Sequence, residues 1–201
     1  MPVLTPEVPT RQRILNIALD LFGSRGVDSV SLDEIAREVG VRKQTVLYWF
    51  ASKDELVDAV LFAAAGELSV MIDAALRAAP DDPLARIDAV VTAVFRPAVR
   101  RPAVLGLVRE ISRLSPQHAD TLRAHVQPMV DRAIRYLAAE MDAGRLRRAD
   151  ADLVAALAYA TVIGIATEPE ALRAVGWRTD AAGLRRLRAE LRAFLRAALS
   201  P

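Results

Sequence analysis

The sequence predicts an all-α protein. Its composition is rich in alanine, leucine and arginine, residues that favour helix, and 53% of it is hydrophobic without valine-rich alternating runs. Apolar residues recur at three- and four-residue spacing, and no segment reads as a strand, a repeat or a low-complexity tract. At 201 residues the chain can bury one or two real cores. The absence of cysteine excludes a disulfide framework, a thiol nucleophile and cysteine-ligated metal.

The first nine residues, with Pro2, Pro6 and Pro9, read as a flexible arm without the basic and apolar leader of a signal peptide. Thr10 is the expected cap of a first helix running to Arg25, with Ile14, Ile17, Ala18, Leu21 and Phe22 on one face and Gly23 and Gly26 at its end. Ser31-Leu32-Asp33-Glu34 is a capping box. The second helix follows, with Leu32, Ile35, Ala36 and Val39 facing inward, and Gly40 turns the chain. A third, short helix starts near Arg42 or Lys43 and ends near Phe50. Ser52-Lys53-Asp54-Glu55 is a second box that opens a long fourth helix to about Ala79.

Further on, punctuation by proline and glycine sets the expected boundaries. Pro80 to Pro83 breaks the fourth helix, and a fifth runs from Leu84 to Arg96, stopped by Pro97. Pro102 opens a sixth, to about Leu114, and Ser115-Pro116 marks the next break. A helical pattern from Gln117 to Asp142 carries Pro128, where a kink or a new start is expected. An eighth helix begins at Asp150 or Asp152 and is apolar nearly all round, with Leu153, Val154, Leu157, Tyr159, Val162, Ile163 and Ile165. A connector from Glu168 to Arg178 leads to a last helix, Asp180 to Leu199. No apolar run reaches a membrane span, the nearest being Leu153 to Thr167, so a cytoplasmic protein without membrane contact is expected.

The second and third helices, joined by a short glycine turn, form a helix-turn-helix. In that arrangement the second helix of the pair enters the DNA major groove, leading with its N-terminal residues. Those are Arg42, Lys43, Gln44 and Thr45. Arginine and lysine can read guanine edges, glutamine can read adenine, and threonine can meet a thymine methyl. Tyr48 lies a turn further along the same face, and Trp49 is a candidate for packing or backbone contact. Lys53, at the amino end of the fourth helix, and the amides around Ser31 offer seats for phosphate. The only two lysines of the chain, Lys43 and Lys53, fall in this stretch. Net charge does not carry this reading: residues 1–55 hold Arg11, Arg13, Arg25, Arg37, Arg42, Lys43 and Lys53 against Glu7, Asp20, Asp28, Asp33, Glu34, Glu38, Asp54 and Glu55.

Residues 10–57 resemble the DNA-binding domain of the TetR family of bacterial transcriptional regulators. The resemblance is carried by Leu21-Phe22-Gly23-Ser24-Arg25-Gly26, Ser31-Leu32-Asp33-Glu34-Ile35-Ala36, Gly40-Val41-Arg42-Lys43-Gln44-Thr45, Tyr48-Trp49-Phe50 and Ser52-Lys53. It departs at Leu47, where the family most often has a tyrosine that touches phosphate. Leu47 then reads as core, and Tyr48 as the candidate replacement.

The resemblance implies a helix-turn-helix domain over 10–52, and an effector-binding and dimerisation domain over 53–201. It also implies a homodimer acting on a double-stranded DNA operator, most commonly as a repressor that a small molecule releases. Helices four to seven would then line an effector pocket. The candidates are Leu61, Met71, Phe95, Leu107, Met129 and Leu137 on its walls, with Arg109, Glu110 and His125 as polar handles. Their aliphatic character favours an apolar effector.

The dimer would form through the last two helices, with Leu153, Leu157, Leu184, Leu187, Leu191 and Phe194 as interface candidates. His118 and His125 stand seven apart with no third ligand, so no metal site is expected, and neither a cofactor nor a catalytic constellation is read from the chain. The alternative is a helical small-molecule-binding protein without sequence-specific DNA binding.

Overall fold

The computed structural model describes residues 9–101, 103–111, 115–167, 169–178 and 180–201, without the side chains of 98, 109, 111, 162, 163, 165–167 and 169–171. Among these residues the elements are all helices: α1 (Thr10–Arg25), α2 (Leu32–Val39), α3 (Lys43–Trp49), α4 (Lys53–Ala78), α5 (Pro83–Arg100), α6 (Ala103–Ile111), α7 (Pro116–Asp142), α8 (Ala151–Thr167), α9 (Pro169–Ala174) and α10 (Ala181–Leu199). Pro102 and all of the expected N-terminal arm except Pro9 lie outside the described residues.

Local chemistry explains most boundaries. Ser31 accepts from the Glu34 amide at 3.2 Å, and Ser52 from the Glu55 amide at 3.1 Å. Asp82, Ser115 and Asp180 cap α5, α7 and α10 in the same way. Each such cap satisfies an otherwise orphaned amide and contributes about 1 kcal/mol. The expected cap at Thr10 is corrected: Pro9 occupies the cap position with no side-chain hydrogen bond, and Thr10 is the first helical residue.

Pro97 overturns its expected break, and no new helix starts at Pro128. α5 continues past Pro97 to Arg100, and α7 is one element through Pro128. Pro97 lies in the last turn of α5, and Val99 beyond it packs against a buried apolar cluster. Pro128 sits on the exposed side of α7. The connector before α10 contains a short helix, α9, that the sequence pattern did not reveal.

Packing divides into separate cores. The first gathers Ile14, Ala18 and Phe22 of α1, Ile35 and Val39 of α2, Val46 of α3 and Phe50. It extends to Leu56, Val57, Val60 and Leu61 of α4 and Leu107 of α6. The second joins Val91 and Phe95 of α5 to Leu184, Leu191 and Leu195 of α10. A third, smaller one holds Leu137, Met141, Leu146 and Leu199.

α4 runs through both halves. α7 lies beside it in the same direction, joined by His118 to Asp58 at 2.6 Å, by the edge of the His125 ring on Phe62, and by Arg132 near Asp73. α4 also corrects the reading of hydropathy: it has an 18-residue window of mean hydropathy 1.8 and is long and apolar enough to cross a membrane by length and composition. Glu67 and Asp73 interrupt its apolar run without outweighing its alanines and aliphatics. Its first turns serve as a core helix through Leu56, Val57, Val60 and Leu61.

At the crossing of α1 and α6, backbone meets backbone. A Cβ added at Gly106 would fall inside the contact distance of the Gly23 carbonyl oxygen, and one at Gly23 would strike the Ala103 carbonyl. Gly106→Ala is therefore expected to destabilise the chain by about 1–3 kcal/mol. The check is a lower urea midpoint with an unchanged denaturant slope.

The second core contains a buried carboxylate. Asp88 of α5 accepts from Arg192 at 2.9 Å and from Arg196 at 2.5 Å. Burial pushes its carboxyl upward, but the two guanidinium hydrogen bonds outweigh burial and hold it below its ordinary value. A carboxylate depressed in this way stabilises the fold above the unfolded pKa, about 3.9, and loses its contribution as pH falls through the folded value. Asp88→Asn should thus lower the unfolding free energy at pH 7. Denaturation series at several pH values should show the gap between variant and parent closing below about pH 4.

Candidate nucleic-acid interface

The candidate surface is built on the shortest helix of the first domain. α3 has seven residues, with Val46 as its buried one, and Phe50 directly after it is also buried. Those two side chains fix the helix to the core and turn the rest of its circumference outward. Gly40, at φ 78° in the left-handed region, makes the turn from α2. Its amide hydrogen-bonds to Arg37 O at 3.1 Å, and that of Val41 to Ala36 O at 2.9 Å.

Arg42 occupies the cap position of α3, and Arg42, Lys43 and Gln44 are exposed, with Thr45 half-buried. Tyr48 is 79% exposed, and Trp49 is 41% exposed. Their rings meet edge to face with centroids 5.2 Å apart, which stiffens the aromatic end of the helix. Leu47 is 37% exposed, so its expected place in the core is corrected. Only the Val46 position of this short helix points inward, and Leu47 joins the outer face. Arg11 of α1 reaches over the Phe50 ring at 5.2 Å, which brings another cation to the edge of the surface.

The phosphate seats take a more tethered form than expected. Ser31 caps α2, and the Glu34 carboxylate accepts from the Ser31 amide in return, so the capping box satisfies two of the local amides internally. The hydrogen bond from Arg25 holds the Glu34 carboxyl below its usual value, with help from the charge of Arg25 and from the Ser31 amide. Lys53 is half-buried, and its Nζ lies 3.5 Å from the Asp28 carbonyl, back across the loop between α1 and α2. Glu55 closes its own box on the Ala51 amide at 2.8 Å, one residue before the cap.

Lys43 is bound to Asp33 of α2 at 2.7 Å in an exposed pair. The sequence reading did not single out this partner. Ten residues separate the two, and only the angle between the helices brings them together.

The remaining candidates do not gather at one place. Leu61 and Leu107 are packing residues of the first core, and Phe95 belongs to the second. Leu137 belongs to the third core. Met71 and Met129 are half-buried. His125 is exposed against Phe62, and the Arg109 side chain lies outside the described residues. Glu110 reaches the loop after α1, where it accepts from the Val27 amide at 3.0 Å.

Of the interface candidates, Leu184 and Leu191 are corrected. They face α5 within the same chain, where Val91 and Phe95 cover them. Leu187 is half-buried against the same cluster. Leu153, Leu157 and Phe194 stand exposed.

Comparison with known proteins places this geometry in a known setting. The profile described as "Bacterial regulatory proteins, tetR family" matches residues 14–60. The HTH-type transcriptional regulator SrpR of Pseudomonas putida is 46% identical over 52 residues, which cover 26% of this chain and 24% of that protein. The chain therefore aligns with only about a quarter of that relative's length. Among solved structures, a putative transcriptional regulator from Saccharomonospora viridis in complex with choline shares the fold with a TM-score of 0.78 at 21% identity, covering 95% of this chain and 97% of that one. AibR, in complex with isovaleryl coenzyme A and operator DNA, does so with a TM-score of 0.74 at 17% identity, covering 92% and 97%.

Proposed function

We propose that the chain is a transcriptional regulator of the TetR family, on the match of residues 14–60 to that family's helix-turn-helix domain, and that it acts as a homodimeric repressor released from a DNA operator by a small, apolar ligand. The observation that carries this reading is the outer face of α3. Arg42, Lys43, Gln44 and Tyr48 stand exposed on a helix whose inner side is locked by Val46 and Phe50. Such a face suits the major groove, with Arg42, Lys43, Gln44 and Thr45 at base edges and Tyr48, Trp49, Ser31 and Lys53 at the backbone. A dimer would set two such helices one helical turn of DNA apart, about 34–36 Å.

In this reading residues 53–201 bind the effector and dimerise. The solved neighbours in complex with choline and with isovaleryl coenzyme A support ligand binding by a protein of this fold. Met71, Met129 and His125, which stand outside the packed cores, remain its contact candidates. Exposed Leu153 and Leu157 of α8 and Phe194 of α10 supply the apolar surface that a second copy would cover. A cytoplasmic site of action follows from the proposed operator.

The test is a gel-shift titration on the DNA upstream of the protein's own gene, at several salt concentrations. Lys43→Ala should relax specificity, lowering the preference for the upstream DNA over a scrambled duplex by about 1–3 kcal/mol. Tyr48→Ala should weaken binding by roughly tenfold, in the range of about 1–3 kcal/mol for a lost contact. Full affinity in both variants would sink the assignment. For the assembly, Leu157→Glu and Phe194→Glu should leave the helical signal intact while sedimentation shows a shift from dimer to monomer. A dimer that persists in both variants would move the interface elsewhere.

A further inference from the structure

The sequence suggests Glu110 as a ligand handle, but the structure puts its carboxylate to a different use. Glu110 Oε2 accepts from the Val27 backbone amide at 3.0 Å, across 83 residues of sequence. Val27 follows Gly26, which ends α1 at φ 86°. The same carboxylate lies 3.2 Å from where a Cβ on Gly26 would stand, so it is seated against the turn itself.

This contact is the last in a series along α1. At the near end, Arg101 donates through Nε to Asp20 at 2.6 Å and through Nη2 to the Asn16 carbonyl at 2.5 Å. In the middle, Gly23 and Gly106 bring the two backbones together. At the far end, Glu110 meets Val27. α6 therefore lies along α1 like a splint, in the same direction. The first two fastenings grip α1. The third acts beyond its end, on the loop that leads to Ser31, the cap of α2. Through the Gly40 turn, α2 in turn carries α3.

We propose that Glu110 is a positioning residue for DNA reading: its carboxylate fixes the turn after α1 and thereby sets where α2 and α3 stand on the first core. This rests on the DNA-binding reading above. Glu110 touches no DNA and acts through the loop. A carboxylate on a backbone amide makes a charge-assisted hydrogen bond, and losing it leaves a partly buried donor unpaired.

The experiment compares Glu110→Ala, Glu110→Asp and Glu110→Gln in the full-length protein, well below its melting temperature. Glutamine keeps an acceptor at the same reach, whereas aspartate keeps the charge but is one methylene too short. Binding is measured on the upstream DNA and on a scrambled duplex of equal length. Alanine and aspartate should each lower the specific-to-scrambled ratio by about tenfold, while glutamine stays within about threefold of the parent, as expected for a geometric coupling. Partial unfolding would lower both affinities together and leave the ratio unchanged.

The exchange rate of the Val27 amide, read by NMR, should rise in the alanine and aspartate variants and return with glutamine. An unchanged ratio in a parent protein that binds specifically, or unchanged Val27 exchange, overturns the proposal. A parent that fails to prefer its upstream DNA would sink the DNA-binding reading instead, and Val27 exchange would still decide whether the carboxylate holds the turn. Should the alanine variant fail to fold, the aspartate and glutamine pair carries the comparison.

Discussion

A helix of seven residues cannot hold itself together in water. Nucleation costs more than two turns of hydrogen bonds return, and isolated helices are marginal below roughly 12–15 residues. α3 nevertheless has to present a mostly polar surface, so it can contribute little apolar area of its own. Its order depends on Val46 and, just beyond its end, Phe50, both buried in a core built by α1, α2 and the start of α4. Fully burying side chains of this kind is worth about 1.5–3 kcal/mol each. That constraint accounts for the rest of the first domain. α2 is amphipathic and capped, Gly40 supplies a left-handed turn, and α1 spends Ile14, Ala18 and Phe22 on the floor beneath. Free choice of side chain at positions 42–45 and 48 is what this arrangement leaves over.

The first core does not stop where a boundary at residue 52 would put it. Leu56 to Leu61 of α4 and Leu107 of α6 complete it, so the surface helix rests partly on elements from the second half of the chain. The polar links follow the same division of labour. His118 at the head of α7 is held by Asp58 on the first turns of α4, and Asp20 of α1 by Arg101. Further along, Asp88 ties α5 to α10 beneath its own apolar cluster. Apolar contact supplies the bulk of each core, and these ion pairs fix how the helices are aligned within it.

Local signals proved legible, and pairings remote in sequence did not. Serine and aspartate caps, glycine turns and three-to-four spacing all act within a turn or so of helix, and Ser31, Ser52, Gly40 and the inward face of α2 were read from them. Pro97 does not stop α5, because a proline removes one hydrogen bond and neighbouring packing can outweigh that loss. Leu184 and Leu191 show a different limit: spacing reveals an apolar stripe on α10 but not whether it faces α5 or a second copy. The partners of Lys43, His118 and Glu110 lie on other helices, at separations for which no periodicity exists. A carboxylate in the C-terminal half was therefore open to being read as a ligand contact.

The near balance of charge in the first 55 residues also becomes intelligible from the structure. Among the described residues, several of its acids make structural contacts away from the outer face of α3. Asp20 holds Arg101, Glu34 holds Arg25 and closes a capping box, Glu55 closes another, and Asp54 stands near His118. Asp33 pairs with Lys43 of the candidate surface, and that pair is exposed on both sides. Exposed pairs of this kind contribute at most about 1 kcal/mol and weaken with salt. A DNA groove competes well against such a partner, because a cation that enters it also releases condensed counterions. A weak internal pair at this position keeps Lys43 extended and ordered over the α2–α3 surface while leaving it free to exchange. For the proposed nucleic-acid binding, what counts is therefore which charges can still change partners, a property that the summed charge of the domain does not express.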